Sequence, residues 1–245
     1  MKKYLFCLSC LACFYLNAQT LSAGYTINYK VSLRFGAIRN FVGVLNTSTD
    51  RADFRFKELI DMPSSVSKEK NVINFDLKDT TENIIQTNLR TGELLEITRL
   101  PPEKNYYLVQ DSIVKIEWKI LEETKIVNSH TLSKAIGEFR GRQYTAWFAQ
   151  DIPCVFGPWK FHGLPGVVFE ISDAKREVEF LLTKISSIPN FQFTNPPKGL
   201  LISRLDFKKK QSSLADDISK ALLSKLGREF TVEVKVKNVK QIELD

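Results

Sequence analysis

Two side chains with reactive potential share one short stretch. Cys154 and His162 lie in the segment from Tyr144 to Glu170, which reads YTAWFAQDIPCVFGPWKFHGLPGVVFE. A thiol beside an imidazole is a nucleophile–base pair, so the spacing admits thiol-dependent or hydrolytic chemistry. A plainer reading fits as well: a lone cysteine behaves as a small apolar core residue. Asp151, Glu170 and Asp173 would supply acid–base carboxylates, with solvated charge as their simpler role. His130 and His162 are the only histidines, too few and too far apart for a zinc site. No H-E-x-x-H, Gly-rich phosphate loop or G-x-S-x-G elbow occurs. The residue set favours a non-catalytic protein with no metal and no cofactor.

The same segment is dense in residues that shape a backbone. Pro153, Pro158 and Pro165 alternate with Gly157, Gly163 and Gly166. Proline fixes φ, and glycine opens conformations closed to other residues. Trp159, Phe161 and Leu164 lie between them and Trp147 precedes them. The result is a stiff loop carrying large apolar anchors. Pro165-Gly166 suits the centre of a type II turn, and a strand from Val167 to Ile171 follows. Two roles are open. The loop turns a corner and its aromatics pin it to the core, or Trp159 and Phe161 form an exposed platform for a protein, glycan or lipid. The candidate binding residues are Trp147, Pro153, Gly157, Pro158, Trp159, Phe161, Gly163, Leu164, Pro165 and Gly166.

Period-two patterning dominates the elements that must hold this loop. Tyr25, Ile27, Tyr29, Val31, Leu33 and Phe35 alternate with Thr26, Asn28, Lys30, Ser32 and Arg34, the mark of a half-buried strand. Phe54 and Phe56 repeat the pattern, as do Ile73, Phe75 and Leu77. Further runs are Val114, Ile116, Trp118 and Ile120, then Val178, Phe180 and Leu182, and Val232, Val234 and Val236. A phase break at Asn238-Val239 predicts a bulge. Alternation of this kind belongs to antiparallel sheets with one wet face. The expected fold is mainly β, α+β at most: an antiparallel sheet, open or partly closed into a barrel or sandwich. One C-terminal amphipathic helix is expected near 213–226, from Leu214, Ile218, Leu222 and Leu226, with Ser213 and Asp216 at capping-box spacing and Gly227 ending it.

Lys2 and Lys3 precede an apolar run from Tyr4 to Leu16, then Asn17-Ala18-Gln19. A basic start, a short apolar run and a small residue before the cut describe a secretory signal cleaved after Ala18. The run is shorter than the roughly 20 residues of a membrane span. Lipidation at Cys10 or Cys13 is one alternative, although Leu8 and Leu11 sit one place too close for the usual pattern. A buried first element of a cytosolic fold is another. The expected organisation is a signal peptide over 1–18 and a single β-rich domain over 19–245, with no transmembrane segment after cleavage. Of four cysteines only Cys154 would remain, so no internal disulfide would brace the fold. The net charge of +7 would fall to +5, because Lys2 and Lys3 leave and residues 1–18 hold no acid. Lys208-Lys209-Lys210 reads as a solvated turn rather than a nucleic-acid patch.

The hexapeptide Gly163-Leu164-Pro165-Gly166-Val167-Val168 resembles the signature of the GLPGLI family, exported proteins of Bacteroidota with no established activity. Its last two positions are valines here and stay apolar. Asp111 to Ile120 resembles the strand before the motif. Lys134-Ala135, Gly141-Arg142-Gln143-Tyr144 and Ala146-Trp147 resemble its approach, and Asp151-Ile152-Pro153 with Gly157-Pro158-Trp159-Lys160-Phe161 resemble its centre. Leu132 stands where relatives often carry a cysteine. The resemblance implies an exported protein of the periplasm or outer-membrane periphery, with an extracellular position as the further alternative.

Three functions remain open. The leading one is a non-catalytic cell-envelope protein that binds a protein partner or an apolar ligand. The second is an envelope enzyme using Cys154 and His162. The third is a structural or assembly factor of an outer-membrane complex.

Overall fold

A computed structural model describes residues 24–59, 65–69, 72–78, 82–101, 103–188, 191–226, 231–237 and 242–244. The expected signal peptide over 1–18, the expected helix stop at Gly227 and the expected bulge at Asn238-Val239 lie outside the described residues.

All but one of the alternating segments form the expected strands. They are β1 (Gly24–Phe35), β2 (Ala37–Thr47), β3 (Arg51–Glu58), β4 (Ser65–Glu69), β5 (Val72–Lys78), β6 (Asn83–Asn88), β7 (Glu93–Arg99) and β8 (Tyr106–Ser112). There follow β9 (Lys119–Val127), β10 (His130–Phe139), β11 (Arg142–Ala149), β12 (Val167–Asp173), β13 (Val178–Ile188), β14 (Gly199–Ser203), helix α1 (Arg204–Leu226) and β15 (Thr231–Lys237). In β1, Ile27, Tyr29, Val31 and Leu33 are all buried, as side chains on one face of a pleated strand must be.

Twelve strands build one open sheet in the order β14-β8-β7-β6-β3-β2-β1-β13-β12-β11-β10-β9; β15, β5 and β4 form a second. Pairing is mostly antiparallel. β14 beside β8 and β15 beside β5 run parallel. Parallel neighbours need a crossover, and the long segments from 113 to 198 and from 79 to 230 supply it.

The run through Val114, Ile116 and Trp118 is not a strand. β8 ends at Ser112 and β9 begins at Lys119. These six residues pair with no strand and carry the chain from β8, next to one sheet edge, to β9 at the opposite edge. A flat sheet would separate β8 from β9 by ten strand spacings, about 48 Å at roughly 4.8 Å each. Seven extended steps reach roughly 25 Å at most. The sheet must therefore curl until its flanks approach each other. Its inner face holds one large core, including Tyr29, Phe41, Phe54, Tyr144, Phe148 and Phe180. Ile116 is buried in that core and Trp118 packs against it.

Helix α1 begins nine residues before its expected start. Ser203 is its N-cap: the Ser203 hydroxyl accepts from the Asp206 backbone N–H at 3.1 Å and donates to the Asp206 carboxylate at 2.8 Å. Ser213 lies inside the helix and donates to the Lys210 carbonyl. The earlier cap wins because it brings Phe207 under Tyr107, with ring centroids 5.2 Å apart. Phe207 and Leu214 then close a second core with Leu100, Tyr107 and Val109. Lys208-Lys209-Lys210 is consequently helical rather than a turn, and Lys210 pairs with Glu103 at 2.9 Å.

Candidate functional site

The Pro/Gly-rich segment folds inward between β11 and β12. Gly157 N–H donates to the Phe161 carbonyl at 2.8 Å, Gly163 N–H to Val155 at 2.7 Å, and Val167 N–H to Ile152 at 3.0 Å. Phe161 becomes the hub of the core. Its ring lies 4.7 Å from Tyr144, 5.3 Å from Trp159, 5.6 Å from Phe139 and 5.8 Å from Phe180. Trp159 and Phe161 are only 6% and 2% exposed, so they form no platform open to solvent. Phe156, Gly157, Pro158, Leu164 and Gly166 are buried with them, while Pro153, Gly163 and Pro165 are exposed. Trp147 is half-buried on β11, where Lys125 Nζ sits 4.5 Å from its ring.

The two glycines of the hexapeptide have different duties. Gly163 has φ +94° and Trp159 φ +56°, so the left-handed conformations come before the Pro-Gly pair. Gly166 is not in that region, which rules out the expected type II turn, because its third residue needs a positive φ. Gly166 is required by close approach instead: a Cβ there would meet the Ala149 carbonyl oxygen at 2.0 Å. A tryptophan held at positive φ costs about 1–3 kcal/mol, and the surrounding aromatic packing fixes it there.

Cys154 and His162 do not form a pair. The Cys154 thiol donates to the Phe156 carbonyl at 3.3 Å, and His162 Nδ1 lies 3.1 Å from the Lys160 carbonyl. Burial pushes the thiol above its ordinary value, against weaker help from Phe156 and Thr47. Burial likewise lowers His162. A high thiol and a neutral imidazole are the opposite of an activated nucleophile. Asp151 instead contacts His130, with Oδ2 2.6 Å from Nδ1. Glu170 binds Lys125 at 2.6 Å, and Asp173 binds Arg142 at 2.8 Å. No cluster of three or more metal-ligating side chains occurs among the described residues.

The strongest electrostatic feature was not singled out from the sequence. Lys160 lies between the two buried aromatics of the loop, and its side chain is 1% exposed. Its ammonium donates to Glu243 at 2.6 Å and Asp111 at 2.9 Å, and sits 3.1 Å from Glu96. Arg140 adds a 2.8 Å bond to Asp111, and Arg204 binds Glu243 at 2.8 Å. Burial alone would lower the Lys160 ammonium; Glu96, Glu243 and Asp111 outweigh it and hold it above its usual value. Burial alone would raise Asp111; Lys160 and Arg140 reverse that and lower it. A second ionic cluster adjoins: Arg142 binds Asp173 and Glu177 and donates from Nε to the Ile242 carbonyl at 3.0 Å. The Tyr144 hydroxyl is buried with no hydrogen-bond partner among the described residues. These contacts latch the motif loop, on one flank of the sheet, to β7 and β8 on the other. The one sequence cue was a lysine flanked by anchoring aromatics.

A groove of about 490 Å³ lies on the outer face of the sheet, over β3, β6, β7, β8 and β14. Leu95, Leu108 and Leu201 line it, with Phe193 and Pro196 contributed by the chain just before β14. Register puts the three leucines on one face: Leu201 lies opposite Leu108, and Leu95 opposite Gln110 two places along the same strand. Thr194 is held down by Arg55 and Gln86, and Arg51 stacks on Phe193 at 4.8 Å. By contrast, the hollow beside His162, Trp118 and Leu164 has essentially no room for a water.

A family model described as a protein of unknown function (Porph_ging) matches residues 112–170. That stretch runs from the end of β8 to the middle of β12 and contains the whole motif loop. No curated protein is significantly similar to the chain. Two solved structures of PNGF-II, in space groups P21 and C2, are similar in fold, each with a TM-score of 0.52 at 16% and 15% identity. In both, the likeness covers 79% of this chain and 34% of that one. The chain thus spans about a third of the PNGF-II length. No helix among the described residues is long and apolar enough to cross a membrane.

Proposed function

We propose that this chain is a non-catalytic exported protein of the cell envelope, in the periplasm or at the outer-membrane periphery. Its role is to seat an apolar ligand or an apolar segment of a protein partner. The hexapeptide and the family model over 112–170 together support placing it among the GLPGLI proteins. The observation that carries the reading is the preformed groove of about 490 Å³ with its leucine floor, a size within the range of ligand sites. The inert surroundings of Cys154 and His162 weigh against thiol chemistry.

The test is native mass spectrometry on protein isolated gently from the envelope of the secreting cell. An excess mass that disappears on denaturation is expected, and it should be lost in a Leu108→Trp variant that fills the groove. Bare protein in both samples would overturn the ligand reading. The intact mass also reports whether processing occurs after Ala18 and whether a lipid is attached.

A further inference from the structure

The groove has a charged end as well as a leucine floor. Arg51, Asn88 and Glu93 line it and lie in one row across β3, β6 and β7: Arg51 opposite Asn88, and Asn88 opposite Glu93. Leu95, Leu108 and Leu201 continue the same face. Most charges nearby are already matched: Asp53 holds Arg55, Asp50 holds Arg90, and Asp111 holds Arg140 and Lys160. Arg51 and Glu93 are the exceptions. The Arg51 guanidinium stacks on Phe193 and meets no carboxylate among the described residues. Stacking occupies the face of a guanidinium and leaves its in-plane N–H fork for an anion. The Glu93 carboxylate accepts from the Thr91 hydroxyl at 2.7 Å and meets no cation among the described residues. Between them, the Asn88 side-chain oxygen accepts from the Arg90 and Thr91 backbone N–H groups at 3.1 and 3.2 Å. Its amide nitrogen donates to no other described residue.

We propose that the groove takes a single-chain phospholipid with a zwitterionic head, a lysophosphatidylethanolamine. Its phosphate would bind the Arg51 fork and the Asn88 amide, its ammonium would donate to Glu93, and its acyl chain would lie on Leu95, Leu108 and Leu201. Arg51 and Glu93 stand two strand spacings apart, roughly 10 Å between backbones, so a phosphate and an ammonium a few bonds apart can reach both side chains. Charge complementarity selects the head. A lone anion would satisfy Arg51 but face Glu93, a lone cation would do the reverse, and like-charge juxtaposition suppresses the wrong partner. Size selects the tail. At roughly 30 Å³ per water-sized group, the 490 Å³ of the groove takes about sixteen such groups, which suits one acyl chain and not a pair.

This inference rests on the groove reading, and its test separates the two. Three lauroyl probes are titrated calorimetrically below their micelle concentrations: lauroyl lysophosphatidylethanolamine, laurate with only the negative charge, and monolaurin with none. Monolaurin reports the groove by itself. The lysophospholipid should bind about tenfold more tightly than monolaurin at low salt, equivalent to roughly 1.4 kcal/mol, with the gap narrowing at high salt. Laurate should fall well short of the lysophospholipid. Arg51→Gln and Glu93→Gln should each weaken the lysophospholipid about threefold, as expected of solvent-exposed charge pairs, and leave monolaurin as before. Glu93→Gln disturbs no ring contact, so it carries the test alone where Arg51→Gln shifts Phe193 and weakens monolaurin too. Monolaurin binding with no gain for the lysophospholipid would overturn the head-group inference and leave the groove reading standing. Laurate matching the lysophospholipid, or an unchanged affinity in Glu93→Gln, would overturn the zwitterionic head. If none of the three binds, both readings fall.

Discussion

Replacing Lys160 by methionine keeps the stem that packs between the aromatics and deletes the ammonium. Glu96, Asp111 and Glu243 then face one another without the ammonium they share, with Arg140 on Asp111 and Arg204 on Glu243 still in place. Removing one partner from a buried ion pair costs about 3–5 kcal/mol, because the remaining charge stays desolvated. Lys160 is 3% exposed, so solvent screening gives little relief. For a chain of this size the loss corresponds to a drop in Tm of roughly 6–20 °C. The assay is urea unfolding of parent and variant across pH. In the parent, the raised Lys160 contributes fully below its unfolded value, about 10.4, and that contribution is lost only as pH climbs beyond it. The lowered Asp111 contributes above its unfolded value, about 3.9, and that contribution is lost as pH falls through the lower folded value. In Lys160→Met the stranded carboxylates take up protons more readily, so the gap between variant and parent should narrow from pH 7 towards pH 4. Adding Asp111→Asn should cost less in the variant than in the parent, a coupling expected of groups in contact. A loss below about 1 kcal/mol, the range of surface pairs, or a gap that ignores pH, would refute the latch.

Other positions test the loop and the helix. Gly166→Ala should destabilise by about 2–3 kcal/mol or more, since the new Cβ meets backbone rather than a movable side chain; calorimetry measures it. Ser203→Ala should lower stability by about 1 kcal/mol through loss of the N-cap, whereas Ser213→Ala should cost nothing in the same urea titration. Cys154 should react with iodoacetamide far more slowly in native protein than in urea at pH 8, because burial raises the thiol; equal rates would revive the nucleophile reading.

Most of the fold was legible locally. Period-two alternation requires only that one face of each strand be buried, so β1, β3 and β13 could be read without knowing their neighbours. Val114 to Trp118 shows the limit of that signal: the same alternation appears in a segment that crosses between sheet edges, because two faces of a linker are also buried and wet. Helix α1 shows another. Ser203-Asp206 and Ser213-Asp216 have the same spacing, and the choice between them depended on Phe207 reaching Tyr107, a contact across the fold.

The sequence by itself determined a mainly β architecture, a stiff aromatic loop and the scarcity of histidine and cysteine, since these follow from composition and short-range periodicity. Tertiary structure decided what the loop does. Lys160 meets Asp111 and Glu243 from 49 and 83 positions away, and no local pattern encodes such distances. It also decided which strands lie at the edges, because an edge exists only once every other strand has found its neighbour. Both features arise from the curl of the open sheet, which brings its flanks together and leaves β14 and β9 unjoined.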